Sequence, residues 1–497
     1  MPKYLVQGAD LAAMADKIRA KTGTSEPLTF PDEFISAVDE IETYVEPVLQ
    51  DKTVTANGEY SADEGYDGLG IVTVNVETSD SADQEDALFQ RTITQYTNAR
   101  VSYIGAQIFM NCKSLTSVHL PNATAMGTEA FMYCGSLTDV NLPICEKIAN
   151  GGFRACSSLK SVSMPMCKTI GSYAFSSCYS LNTVDFPMCE TVGSYAFASL
   201  RGFTHISFPN CTGIYNGTFS GCTALSTAYI PKCEYVSSYA FQYCTNLQYI
   251  SLPLCSNILQ SAFSNCRQLS YAYLPSCETI QAGAFMYCSN LTEVYAPNLY
   301  GIAAKAFLGC SNLTSIDFPK CNSIWTSAFR ECYGLREASL PLCIALSSSA
   351  FENCSSLTSV YLPNCSSIDN NAFYGCTGLK RIELPYAYNL GASVFYNCSN
   401  LSYVYLANQA STKWLYLNNF FFGNCYRLST LIIQLSAVAG LIHSSVFMST
   451  PYTGYSAYYS GTPYIYVPSS LITSYQTDMV WSYFSSYFSA IEDMAVE

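Results

Sequence analysis

The sequence predicts an α/β repeat protein, a solenoid in which every 22-residue coil supplies one short β-strand and a turn or short helix. Three observations carry this. Phe recurs at 109, 131, 153, 175, 197, 219, 241, 263, 285, 307, 329, 351, 373 and 395, always 22 residues apart. Pro keeps the same interval from Pro121 to Pro385. Between them runs one pattern, A-F-x-x-C-x-x-L-x-x-V-x-L-P-x-C-x-x-I, as in AFSSCYSLNTVDFPMCETV from Ala174 to Val192. Chance does not hold so many successive intervals at one value.

The segment L-x-x-V-x-L accounts for the strand. In TSVHL, Val118 and Leu120 alternate with Ser117 and His119, the period-2 pattern of a strand buried on one side. The Pro that follows has no N–H and ends the pairing. S-x-A-F-x-x-C-x-x-L then reads as a turn or short helix that brings the chain back. Stacked coils place a parallel sheet along one face at about 4.8 Å per coil, so fourteen coils span roughly 65–70 Å. Phe, the first Leu, the Val, the second Leu and the Ile each form an interior column, contributing about 1.5–3 kcal/mol per buried side chain.

L-x-x-V-x-L-x-x-C-x-x-I resembles the leucine-rich-repeat consensus, with Cys where Asn often stands. The fuller unit, with its AF-x-x-C and L-P, resembles the BspA-like class found in bacterial surface proteins and in phage and prophage genes. The likeness covers about residues 87–463. It implies a right-handed leucine-rich-repeat solenoid, a β-α superhelix that binds through its strand face.

Outside the regular coils the reading is as follows. ADLAAMADKIRAKTG and FPDEFISAVDEIETYV are two helices, the first ended by Gly and the second with Pro31 near its first turn. They define a helical attachment region over 1–46. Residues 47–78 form a small β module with turns at Asn57-Gly58 and Asp67-Gly68, and the polar run 79–86 is a linker. The solenoid occupies 87–463, with an atypical first coil over 87–109. The period breaks after Phe395, with Phe422 27 residues on and Phe447 another 25. Residues 451–463 read as loop. YIYVP then gives a last strand and SSLITSYQTDMVWSYF an amphipathic helix, so that 464–497 caps the open end.

Two N-terminal stretches carry a further resemblance. YLVQGADLAAMADKIRAKTGTSEPLTFPDEFISAVDEI looks like the leader of tail-associated structural proteins of phages and prophages. TVTANGEYSADEGYDGLGIVTVNV is similar to a short β module common in the same proteins. The likeness implies attachment to other tail proteins and a place in the virion. The opening residues show no apolar signal-peptide core, which fits such assembly.

Charge excludes several partners. Of the net −14, residues 1–100 hold −12 (19 acidic, 7 basic), leaving −2 over the other 397. A near-neutral body with few Lys and Arg does not neutralise phosphates, so neither nucleic acid nor an anionic membrane surface is an expected partner. No apolar run is long enough to span a membrane.

The 24 cysteines fall into two columns. Fourteen lie three residues after a repeat Phe, from Cys112 to Cys398 plus Cys425, and ten lie two residues after the repeat Pro, from Cys145 to Cys365. Leu200 interrupts the first column, and Ala123, Leu299 and Ala387 the second. Apolar substitutes suit packing positions and not metal ligands. Neighbours in a column fall within bridging distance, yet assembly in a reducing compartment keeps them as free thiols.

No catalytic residue, metal or cofactor is expected. His119 and His205 sit at outward strand positions of separate coils, His443 lies in the irregular end, and GGF at 151–153 is a repeat variant. Function is left to the outward strand positions on either side of the column Val. These are mostly Ser, Thr, Tyr, Asp and Glu, with Tyr bunched. Tyr229, Tyr249, Tyr271, Tyr273 and Tyr295 fall on successive coils, and Tyr361, Tyr403 and Tyr405 group around Arg381 and Glu383. Rigid amphipathic rings beside hydroxyls suit recognition of a protein surface or of sugar rings; Tyr is also simply a good strand former. The expectation is a phage tail-associated protein (tail fibre or receptor-binding type) that recognises a host-surface glycan or protein. A BspA-like surface adhesin at the bacterial cell surface is the alternative, and a cell-wall-active enzyme is a third class. Oligomeric state is left open, a homo-oligomer included.

Overall fold

In this computed structural model the described residues are 52–55, 59–62, 91–408, 415–441, 443–454 and 462–494. The expected helices of 1–46, the 79–86 linker and the turns at Asn57-Gly58 and Asp67-Gly68 lie outside them. The chain divides into two compact units, Met1–Asn75 and Val76–Glu497. In the first unit Lys52–Thr55 pairs antiparallel with Glu59–Ala62, Thr55 opposite Glu59, a hairpin inside the expected β module.

The second unit is a parallel β-solenoid, and its regular coils carry two strands each where one was expected. The first is the x-V-x strand, such as Tyr249–Ser251, whose middle residue Ile250 is buried between two outward neighbours. Partners are 22 residues apart, as in Val118 with Val140. The second strand is only two residues long and ends on the column Ile. These short strands, from Tyr103–Ile104 to Asn389–Leu390, pair into one continuous fourteen-stranded sheet. The x-V-x strands instead form six separate hydrogen-bonded pieces.

Where the sequence left a turn or short helix, the A-F segment is a turn. The reason lies two residues before and two after the Phe, where the backbone is left-handed in coil after coil. Glu129 and Tyr133 flank Phe131 with φ of 57° and 63°, and Ser261 and Asn265 flank Phe263 with 53° and 63°. Alternation of hand breaks the i to i−4 pattern of a helix and turns every second N–H toward the next coil. Glu129, Phe131 and Tyr133 thus donate to the carbonyls of Asn150, Gly152 and Arg154 at 2.8, 2.8 and 2.9 Å. All such donors point one way, so their peptide dipoles add along the solenoid axis as they do along a helix. The carbonyl end is met by a cation: an Nη of Arg91 donates to Ile108 O at 2.6 Å.

Inside the coils the Phe side chains form one column. Phe131 through Phe395 are completely buried, and successive rings lie nearly parallel, with centroids 5.2 Å apart from Phe219 to Phe241 to Phe263 to Phe285. The column survives the change of period: Phe422 stacks on Phe395 at 5.9 Å and Phe447 on Phe422 at 5.7 Å.

All 24 cysteines are free and buried. In the first column, from Cys134 on, each thiol donates to the carbonyl of a Phe in the preceding coil, Cys134 to Phe109 at 3.0 Å and Cys266 to Phe241 at 3.1 Å. In the second it reaches two residues ahead, Cys145 to Lys147 O and Cys277 to Thr279 O, both at 3.4 Å. Burial pushes a thiol of each column up, Cys145 to about 11 and Cys134 to about 12. Ala123, Leu200, Leu299 and Ala387, which take their places, are equally buried.

The C-terminal end corrects an expectation. In place of one long amphipathic helix there is a single short one, Ile472–Thr477, between 3-10 turns at Ser469–Leu471 and Trp481–Tyr487. A carboxylate oxygen of Asp478 accepts from the N–H groups of Val480 and Trp481 at 2.9 and 3.0 Å, which turns the chain out of the helix. Tyr464–Val467 is not the last strand either, since Phe488–Ala490 pairs parallel to it. The cap closes the Phe column with Phe484 at 4.9 Å, Tyr452 at 5.3 Å and Trp481 at 6.0 Å from the Phe447 ring. The indole N–H of Trp481 donates to Ala439 O at 2.6 Å.

Two outcomes follow. Phe263→Ala removes a fully buried ring from the middle of the stack and should cost about 3–5 kcal/mol in chemical unfolding. Cys134 and Cys145 hold their protons in the fold to a higher pH than in the unfolded chain. Stability they contribute is therefore intact below their ordinary value near 9 and is lost as pH rises from there towards about 12. The melting temperature should fall steeply across that interval, whereas a Cys134→Ala, Cys145→Ala double variant should lose part of the dependence.

Candidate functional site

The x-V-x strands present two outward columns. The eight tyrosines singled out from the sequence all lie in them. Tyr249, Tyr295 and Tyr361 are exposed, and Tyr229, Tyr271, Tyr273, Tyr403 and Tyr405 are half-buried.

The first group is only partly brought together. Tyr249 and Tyr271 are register partners in one column, and Tyr273 and Tyr295 in the other. The rings of Tyr273 and Tyr295 stack at 5.3 Å with 9° between planes. Tyr229 belongs to the preceding hydrogen-bonded piece, with Thr227 and Ser207, and Ser251 stands in its column before Tyr273. Among these rings lies a side chain missed in the sequence. Glu293 is the register partner of Tyr271 and strand neighbour of Tyr295 but one. It is half-buried, and burial pushes its carboxyl up from the usual carboxylate range. Among the described residues it has neither a side-chain hydrogen bond nor an ion pair.

The second group is organised by charge. The guanidinium of Arg381 lies 3.8 Å from the centroid of the Tyr403 ring, its register partner. Its Nε donates to Glu383 at 3.0 Å. Tyr405 pairs in register with Glu383 and donates its hydroxyl to Gln434 at 2.7 Å. Tyr361 is set apart, on the last strand of a separate three-stranded piece. Tyr464 and Tyr466 extend the tyrosine face beyond what was expected, their rings 5.7 Å apart. Their alternation in YIYV was legible, but the altered spacing hid their place in the columns.

Each histidine is held by a neighbour. His119 Nδ1 lies 2.8 Å from Asn141 Nδ2, His205 Nδ1 lies 2.6 Å from Thr227 Oγ1, and His443 Nδ1 accepts from the Ser445 N–H at 3.1 Å. Burial lowers the His119 pKa. Among the described residues no three His, Cys, Asp or Glu side chains are grouped to hold a metal, and no helix is long and apolar enough to cross a membrane. Grooves along the turn edge beside Tyr333, Ser355, Thr377 and Tyr426, and beside Asn111, Lys113 and Tyr133, include no strand-face tyrosine. What the strand face offers chemically is a surface of rings, hydroxyls and a few charges.

The family model described as a BspA type leucine rich repeat region matches in overlapping copies that together span residues 86–455. The chain belongs to the BspA-type leucine-rich-repeat family. No curated protein matches it. Among solved structures, this BspA-type protein is similar to a leucine-rich repeat protein from Bacteroides ovatus ATCC 8483, at 22% identity over 79% of this chain and 94% of that one, with a TM-score of 0.47. It is also similar to a leucine rich cell surface protein from Faecalibacterium prausnitzii A2-165, at 23% identity over 64% and 93%, with a TM-score of 0.36. A leucine-rich repeat protein from Eubacterium ventriosum ATCC 27560 matches at 18% identity over 66% and 93%, with a TM-score of 0.38.

Proposed function

We propose that this BspA-type protein is a recognition protein of a phage tail, whose solenoid presents its strand-face tyrosines to a host-surface glycan or protein. The observation that carries the recognition reading is the in-register array of Tyr249, Tyr271, Tyr273 and Tyr295. Such rings give rigid contact area at little entropic cost, and their hydroxyls adapt to a partner's polar groups. Attachment to other tail proteins through the N-terminal region draws its support from the resemblance of residues 4–41 and 53–76. A BspA-like adhesin at the bacterial surface would use the same face, and membership of the family favours that second reading.

Mass spectrometry of purified virions separates the two: the tail reading expects this chain among the structural proteins, and its absence there, with presence on intact bacteria, selects the adhesin. Recognition is tested on either carrier. Replacing Tyr249, Tyr271 and Tyr273 together by Ala should abolish attachment to host cells while circular dichroism and melting stay those of the parent. Unchanged attachment would move the binding surface elsewhere.

A further inference from the structure

We propose that the array of Tyr249, Tyr271, Tyr273, Tyr295 and Glu293 receives a guanidinium group, carried by an arginine side chain of a partner protein. This rests on the strand face being the recognition surface and names what one part of it binds.

A half-buried carboxylate with no partner is an unfavourable arrangement in a free protein, because a charge withdrawn from water needs a counter-charge or hydrogen bonds. Glu293 is such a group. It stands beside Tyr271 in one column and shares its strand with Tyr295, whose ring is stacked on Tyr273. The faces of tyrosine rings carry negative potential and attract cations. Carboxylate and rings therefore call for the same kind of ligand.

The other end of the same face shows that chemistry completed. There Arg381 lies over the ring of Tyr403 and donates to Glu383, so one guanidinium serves a ring face and a carboxylate together. Around Glu293 the strand face supplies no such cation. The outward strand positions from His205 to Asp317 are His205, Ser207, Thr227, Tyr229, Tyr249, Ser251, Tyr271, Tyr273, Glu293, Tyr295, Ser315 and Asp317, with neither Lys nor Arg among them. A partner's arginine would fill the same role. Its planar fork bonds a carboxylate while its flat face stacks on a ring, which an ammonium does not match.

The test is calorimetric titration of the full chain with an end-blocked tetra-arginine peptide at physiological salt, and with tetra-lysine for comparison. The wild type should bind tetra-arginine, and Glu293→Gln should weaken it at least tenfold. Glu337→Gln, the same loss of charge at an exposed strand position outside the array, should leave it unchanged. Arg381→Ala should add a second site by freeing Tyr403 and Glu383. No binding by the wild type, equal losses from the two Glu variants, an unchanged stoichiometry in Arg381→Ala, or tetra-lysine binding as tightly as tetra-arginine would each overturn the assignment. Circular dichroism shows whether each variant is folded. If the triple Tyr variant loses host attachment while Glu293→Gln keeps both attachment and peptide binding, the recognition surface stands and the guanidinium assignment falls. If the triple variant keeps attachment, the recognition surface itself is misplaced, whatever the peptide does.

Discussion

Every second turn-side N–H in a regular coil has its acceptor 21 residues ahead, in the next coil, and this demand governs the rest of the molecule. Phe131 donates to Gly152, Phe153 to Ala174, and Phe263 to Ala284, so a change of length inside this segment would leave buried donors unpaired. The left-handed residues two before and two after each Phe are what aim those groups along the axis. Once they do, the Phe rings must stack, because their Cα atoms are held one coil apart. Length changes are tolerated where they avoid this segment. In the 27-residue interval between Phe395 and Phe422, Ser393 still donates to Asn419 and Phe395 to Phe421, and the rings of Phe395 and Phe422 remain stacked.

The cysteines are part of the same arrangement. A Phe carbonyl already accepts the N–H of its own coil's Cys, and its second lone pair is met by the thiol of the next coil's Cys, as Phe241 is by Cys266. A weak, small donor suits that place: it satisfies an oxygen without demanding space or a further partner. Leu200 fills the volume but offers no such donor. Because the thiols are buried in two packing columns, and nearly all donate to a carbonyl, their number reflects the number of coils and not a reactive chemistry.

A core this repetitive leaves the outward strand positions unconstrained by packing, and there the chain departs from its own repeat. Tyr, Glu, Ser and Asp occupy them irregularly, and the two tyrosine groups differ in what they hold. The group around Arg381 is satisfied internally by a cation. In the group around Glu293 the carboxylate meets no Lys or Arg in the strand columns beside it. Individuality of binding lives in such differences between coils that are otherwise alike.

The period, the strand, the interior columns and both cysteine columns were legible in the sequence, because each rests on an interaction repeated at the same spacing in coil after coil. The outward tyrosines could be assigned to the strand face for the same reason. Four things were decided only in three dimensions. The turn in place of a helix depends on backbone hand, which residues as unlike as Glu129, Tyr133 and Ser261 adopt. The second ladder depends on two-residue strands too short to leave a pattern. At the C-terminal cap, the side chain of Asp478 competes with the helix. The loneliness of Glu293 and the engagement of Arg381 depend on which coil stands next to which. Local spacing determines what repeats in this protein, and contacts across coils determine what does not.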